Sequence, residues 1–123
     1  MPSYVSFFTY TGEAWGQMVA HPADRAEAAR TAIESAGGRM DGFYWMLGRY
    51  DGLVIYSMPD EVAAAAYSAA VSATGRLASH ETFQVIGMAD GHTALERARE
   101  VSRTYRPPGA PANWRAEYDA WVS

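Results

Sequence analysis

The sequence contains no cysteine and no lysine. Without thiols there is no disulfide framework, no thiolate nucleophile, no cysteine-held zinc and no iron–sulfur ligation. Without lysine there is no Schiff-base chemistry. All ten basic residues are arginine. Arginine keeps its charge throughout the physiological range, so each basic group is a surface charge or a fixed anion clamp, not a proton shuttle. No apolar run approaches the roughly 20 residues of a membrane span. The first residues read as a strand rather than a basic segment followed by an apolar core, so no signal peptide and no membrane partner are expected, and the expected location is cytoplasmic. The net charge of −4 gives nucleic acid no electrostatic drive, so none is expected as a partner. No G-x-G-x-x-G, P-loop, G-x-S-x-G or H-E-x-x-H pattern occurs. The three histidines, His21, His80 and His92, share no ligand spacing. His80 or His21 could be an axial haem ligand, but nothing else in the sequence argues for one. The expectation is therefore no metal and no cofactor.

What is present is a globular composition. The 123 residues are 49 % hydrophobic and 13 % aromatic, enough for one real core. Tyr4–Tyr10 reads as a strand closed by Thr11-Gly12. Residues 11–22 read as a connection holding Trp15, Gly16 and His21-Pro22. Ala23–Ala36 reads as a helix with Asp24 as cap and Glu27 in its first turn. Ala26, Ala29, Ile33 and Ala36 lie on one face, and Gly37-Gly38 is the stop. Arg39–Leu47 and Leu53–Met58 read as a hairpin around Gly48–Gly52. With Arg49 and Tyr50 as the turn residues, Trp45 faces Val54 and Phe43 faces Tyr56. Phe43, Trp45, Leu47, Val54, Tyr56 and Met58 then share one face, and Tyr44, Met46, Leu53, Ile55 and Ser57 the other. Both faces are largely apolar. One layer of helices covers only one of them, so a second copy of the chain is expected over the other.

Asp60–Thr74 reads as a helix capped by Asp60 and stopped at Gly75. Ser79–Met88 reads as the fourth strand, with His80, Thr82, Gln84, Ile86 and Met88 alternating with Glu81, Phe83, Val85 and Gly87. Asp90-Gly91 turns into a helix over His92–Thr104. The order β-α-β-β-α-β with an added helix is the ferredoxin-like α+β pattern. Tyr105–Ala112 is too proline-rich for a helix. Asn113–Val122 forms one short helix placing Trp114, Tyr118 and Trp121 on one side. The expected division is a domain over residues 1–104 and an aromatic tail over residues 105–123.

The stretch Gly42-Phe43-Tyr44-Trp45-Met46-Leu47-Gly48-Arg49-Tyr50-Asp51, followed by an apolar strand and Pro59-Asp60, resembles the signature of the GYD-domain family. The opening M-P-x-Y-V and the Gly37-Gly38 stop also match. The resemblance covers roughly residues 1–90, and the tail beyond residue 105 exceeds the usual family length. It implies a dimeric α+β barrel, in which two ferredoxin-like sheets pack together. It implies no particular reaction. Proteins of similar architecture include cofactor-independent and haem-degrading monooxygenases, polyketide cyclases and isomerases, and fold alone does not select among them.

His80 is the leading acid–base candidate, because a polar row on a covered strand suits a hydrated cavity. In the resembling family a small polar residue is more usual at this position. The competing reading is a strand-end histidine bonded at an interface. Tyr56 and Tyr10 are candidate catalytic phenols, able to stabilise a developing oxyanion. Trp15, His21, Phe43, Trp45, Tyr67 and Gln84 are candidate substrate-binding residues, since aromatics in an apolar cavity suit a planar or polyketide-like ligand. Plain core and dimer packing competes for the same aromatics. Glu13 is a possible carboxylate at the same mouth. Tyr50 and Asp51 read first as turn residues, Asp51 bonding nearby amides and Tyr50 packing over the turn. The functional expectation is an enzyme acting on a small hydrophobic or aromatic molecule by cofactor-independent oxygenation, cyclisation or isomerisation. The alternative is a non-catalytic ligand-binding or assembly module that homo-oligomerises through its sheet.

Overall fold

Alternation of inward and outward side chains organises the sheet. In the computed structural model, which describes residues 1–122 apart from the side chains of Tyr118 and Val122, four strands carry it: β1 (Ser3–Tyr10), β2 (Arg39–Trp45), β3 (Gly52–Ser57) and β4 (Leu77–Val85). Their order is β2-β3-β1-β4, and every neighbouring pair is antiparallel. With the intervening helices this is the expected ferredoxin-like α+β arrangement. The chain falls into two compact units, Met1–Val85 and the residues from Ile86 onward.

Two helices cover one face of the sheet: α2 (Arg25–Ser35) and α3 (Glu61–Ser72). Both begin where the sequence predicts. Asp24 accepts the Glu27 amide at 3.1 Å and Asp60 accepts the Ala63 amide at 2.8 Å, each satisfying a donor the helix itself cannot. The core between the layers holds Tyr4, Phe8, Ile33, Val54, Tyr56, Met58, Ala64 and Tyr67. Ile33, Tyr56 and Met58 are completely buried, and removing each such side chain from water stabilises the fold by about 1.5–3 kcal/mol. Tyr56 stacks on Tyr4 at 5.7 Å and meets Tyr67 edge-on at 5.2 Å.

Ser6 is the polar residue at the centre of this core, and its hydroxyl is fully engaged. It lies 2.9 Å from the Tyr56 hydroxyl and 2.8 Å from Thr82 Oγ1, which in turn lies 3.3 Å from Ser68 Oγ. This run of hydroxyls crosses from β3 through β1 and β4 to α3. Among the described residues no buried side-chain polar atom lacks a partner.

The opposite face carries Val5, Phe7, Leu53, Ile55 and Phe83. No helix of this unit packs on it, and Phe83 remains 52 % exposed. The expectation of two largely apolar faces, one of them uncovered by the unit's own helices, therefore holds.

Several boundaries differ from the sequence reading. Residues 11–22 are not a plain connection: α1 (Gly12–Ala20) occupies most of them. Thr11 caps it by accepting the Ala14 amide at 3.1 Å, and Ala14 is buried. Two glycines and a weak apolar period hid this helix, although Thr11 followed by Glu13 is a start signal. The hairpin pairs Phe43 with Val54 and Trp45 with Gly52. That is two residues from the expected register, which leaves the faces unchanged because the side-chain period is two. A bulge at Asp41 then lets Met40 and Phe43 both face the core. Leu47 lies beyond the strand and is fully exposed, not on the core face.

β4 ends at Val85, so Ile86 and Met88 are not strand residues. Gly87, in extended conformation, starts α4 (Met88–Ser102) four residues before the expected start. Asp90-Gly91 lies inside that helix, with the Gly91 amide bonded to the Gly87 carbonyl at 2.8 Å. In the second unit α5 (Trp114–Val122) follows the proline-rich segment as expected. The expected placement of Tyr118 lies outside the described residues.

The α2 stop is a paired-glycine motif. Gly37 takes φ 85°, and the Gly38 amide donates to the Ile33 carbonyl at 3.0 Å. A Cβ on Gly38 would sit 2.4 Å from the Ser57 carbonyl oxygen and 2.6 Å from Met58 Sδ. Gly38→Ala is therefore expected to destabilise the fold by about 2–3 kcal/mol through forced backbone movement. Urea unfolding checks this, and a loss below about 0.5 kcal/mol would show that the β2–β3 contact yields freely.

Candidate functional site

The polar row on β4 and the aromatic row on β1 meet α2 and α3 at one end of the sheet. β2 and β3 hold Phe43 and Val54 beside Phe8. The small residues of α2, Ala28, Ala29 and Ala32, leave space above them. The result is a cavity of about 240 Å³. Phe8, Phe43, Val54, Val71 and Leu77 supply apolar wall. His80, Tyr10, Tyr67, Thr74, Arg25 and Arg76 supply its polar groups. Among the described residues no carboxylate lines it.

His80 stands opposite Phe8 on β1 and is half-buried. Its Nδ1 lies 3.4 Å from the Ser72 hydroxyl on α3, and Nε2 makes no hydrogen bond among the described residues. Burial penalises the imidazolium and pulls the His80 pKa below its ordinary 6.5, so the neutral ring dominates at pH 7. The two phenols move the other way. Burial pushes Tyr67 up to about 12, with Tyr56 and Tyr10 adding to it. Burial also raises Tyr10, opposed by the neighbouring Arg25 guanidinium. Both stay protonated at neutral pH and can donate a hydrogen bond. The cavity thus combines one neutral base with two neutral donors in apolar surroundings.

An aromatic group extends outward from Tyr10. Trp15 of α1 meets Tyr10 at 5.4 Å and stacks on Trp45 at 5.4 Å. Trp45 also contacts Tyr10 at 5.7 Å. Asp51 organises this group. Its Oδ2 accepts the Tyr10 amide at 2.8 Å and Trp15 Nε1 at 3.2 Å, while its own amide donates to the Phe8 carbonyl at 2.9 Å. The Asp51 side chain thus bonds an amide on another strand rather than in its own turn. The neighbouring Tyr50 belongs to the other face of the sheet: its hydroxyl donates to Glu81 at 2.5 Å and its ring lies 5.2 Å from Phe7.

Of the candidate residues, His80, Tyr10, Phe43 and Tyr67 come together around the cavity. Tyr56 does not line it; its ring is fully buried in the core and its hydroxyl is bonded to Ser6. Trp15 and Trp45 flank Tyr10 outside the cavity wall. His21 lies in an adjoining open depression of about 500 Å³, which shares Tyr10, Arg25 and Arg76 with the cavity. Gln84 is exposed on β4 opposite Tyr4 and lines neither. Glu13 reaches the mouth through Arg76, at 2.9 Å. His92 sits on exposed α4 surface, 3.5 Å from Glu96.

The sequence reading did not single out Arg25 and Arg76. Their signals were positional: Arg25 directly follows the cap of the helix that covers the sheet, and Arg76 directly follows the stop of the next one. Among the described residues no group of three His, Cys, Asp or Glu side chains could hold a metal ion. No helix among them is long and apolar enough to cross a membrane.

The model of the GYD domain matches residues 4–95, three-quarters of the chain and all four strands. No curated protein matches the chain.

The depressed His80 pKa carries a sign for stability. As pH falls below 6.5 the unfolded chain takes up a proton on this histidine before the native state does, so stability declines toward the native pKa and then levels. An imidazole NMR titration is expected to place the His80 midpoint below 6.5, and His80→Gln is expected to flatten that acid slope in urea unfolding. A midpoint at or above the ordinary value would mean the ring is solvated rather than held in the cavity.

Proposed function

The chain belongs to the GYD-domain family, and on that premise we propose that it is an enzyme acting on a small hydrophobic or aromatic molecule, with His80 as the proton carrier. The observation that carries this reading is the cavity itself: a half-buried histidine and two phenols beside a largely apolar wall between the sheet and its helices. Tyr10 and Tyr67 orient the substrate and donate hydrogen bonds to an oxygen that gains charge.

The chemistry starts with removal of a proton from an acidic C–H or phenolic O–H. His80 accepts the proton, and the electron pair stays on the substrate as an enolate or phenolate. Return of the proton to another carbon is isomerisation. Attack of the enolate carbon on a carbonyl of the same molecule is cyclisation. Reaction of the enolate carbon with dioxygen, the oxidant, forms a C–O bond and a peroxide that takes back the proton from His80, and loss of water from the resulting hydroperoxide leaves a carbonyl, which is oxygenation. A general base of this kind contributes typically about 10²–10⁴-fold.

Incubating the protein with a panel of small aromatic enols and hydroquinones in air, followed by mass spectrometry, tests the reading. Wild type is expected to convert at least one member. His80→Gln is expected to lose about 10²-fold or more in kcat while still binding it. Binding without conversion would favour the non-catalytic ligand-binding module instead, and undiminished turnover in His80→Gln would remove His80 from the proton-transfer role.

We propose further that a second copy of the chain covers the open sheet face. Val5, Phe7, Leu53, Ile55 and Phe83 form an apolar surface there, interrupted by the Tyr50–Glu81 pair, and such a surface is costly in water. Native mass spectrometry is expected to show a dimer or higher homo-oligomer, and Phe83→Glu is expected to shift it toward monomer. A wild-type monomer would overturn this assembly.

A further inference from the structure

The charge around the cavity is one-sided. Arg25 and Arg76 stand where the cavity meets the adjoining depression, since both line the two spaces together with Tyr10. Among the described residues neither space has an aspartate or glutamate in its wall. The two guanidinium groups are not equivalent. Arg76 is paired with Glu13 at 2.9 Å. Arg25 has no carboxylate partner among the described residues; its neighbour is the neutral Tyr10 phenol, whose oxygen can accept from the guanidinium and whose O–H can donate to a ligand. One uncompensated cation therefore sits beside one donor at the mouth of an apolar space. The alanines of α2 that line the wall carry small apolar side chains with no polar group, which suits a ring rather than further polar groups. The volume, about 240 Å³, is below the roughly 300 Å³ at which pockets for drug-sized ligands begin.

We propose that the cavity selects small apolar or aromatic monocarboxylates, the carboxylate pairing with Arg25 and Tyr10 at the mouth and the ring lying inward toward His80. This inference rests on the reading of the cavity as a small-molecule site and adds the chemical class of the ligand. The planar guanidinium fork matches a carboxylate through two parallel hydrogen bonds, which a neutral amide cannot reproduce. Arg76 is largely satisfied by Glu13 and adds background potential rather than a second binding position. The site accordingly takes one anionic group, not two.

Naphthoate and its neutral isostere naphthamide separate the parts of this proposal. Titration calorimetry gives the two affinities at neutral pH, and the His80 imidazole signals report whether each ring reaches the cavity. Naphthoate is expected to bind about tenfold tighter than naphthamide, the discrimination of one charge-assisted pair at a partly solvated site. Arg25→Gln is expected to bring the two affinities together while leaving that of naphthamide unchanged, which also shows that the variant is folded. Glu13→Gln, which releases Arg76, is expected to strengthen naphthoate binding alone. Equal affinities in wild type, with both ligands shifting His80, would overturn the carboxylate selection and leave the cavity reading standing. An equal loss for both ligands in Arg25→Gln would also overturn it, because Arg25 would then shape the wall rather than pair the charge. If neither ligand binds or moves His80, the small-molecule reading fails and this inference fails with it.

Discussion

The carboxylate of Asp51 joins three elements that are distant in sequence. It receives the last amide of β1 and the indole N–H of α1, while its own amide holds the Phe8 carbonyl. Hydrogen bonds to an ionised group are among the stronger in a folded chain, about 1.5–3 kcal/mol each. Here they set where the aromatic row of β1 stops and where Trp15 stacks. Tyr10 is the hinge of that arrangement, because it belongs both to the Asp51-organised aromatic group and to the cavity wall. The turn signature thus has a physical role away from the turn: it fixes the edge of the cavity from outside.

Inside the unit the same economy of polar groups holds. Ser6 sits at the centre of the core with Tyr56 and Thr82 as partners, so a hydroxyl is tolerated where an unpaired one would cost about 1–3 kcal/mol. This bonding takes the Tyr56 hydroxyl into the core. Tyr67, one ring away, remains on the cavity side with its proton held firmly by burial. Two tyrosines of similar sequence standing therefore divide: one satisfies the core, the other faces the space where chemistry is proposed. His80 shares this environment, and burial favours its neutral ring inside a cavity to whose mouth Arg25 and Arg76 bring positive charge.

Much of the fold was legible because its signals are local. Asp24 and Asp60 cap, Gly37 and Gly75 stop, and alternation on β1 and β3 sorts residues into two faces. The misses have local causes too. α1 is nine residues with two glycines, too short and irregular for a periodic pattern. The bulge at Asp41 and the two-residue shift of the hairpin cannot be read from composition, since either turn placement keeps the same side chains inward. The end of β4 was misplaced because apolar Ile86 and Met88 continue the alternation, whereas the extended Gly87 starts a helix.

The candidate site was legible only in part, for a different reason. Residue type identified His80, Tyr10, Phe43 and Tyr67 as groups able to serve a cavity, and the periodicity placed His80 on a covered strand. Alternation and caps are short-range physics, so the sequence by itself determined the order of the four strands and of α2 and α3, the core face and the apolar character of the second face. Which polar groups meet is long-range. Only the tertiary structure decided that Tyr56 turns into the core, that Gln84 stays outside, and that Arg25 and Arg76, fifty-one residues apart, stand at one mouth. That outcome depends on how α2 crosses the sheet and where β4 pairs with β1, and no local pattern encodes either.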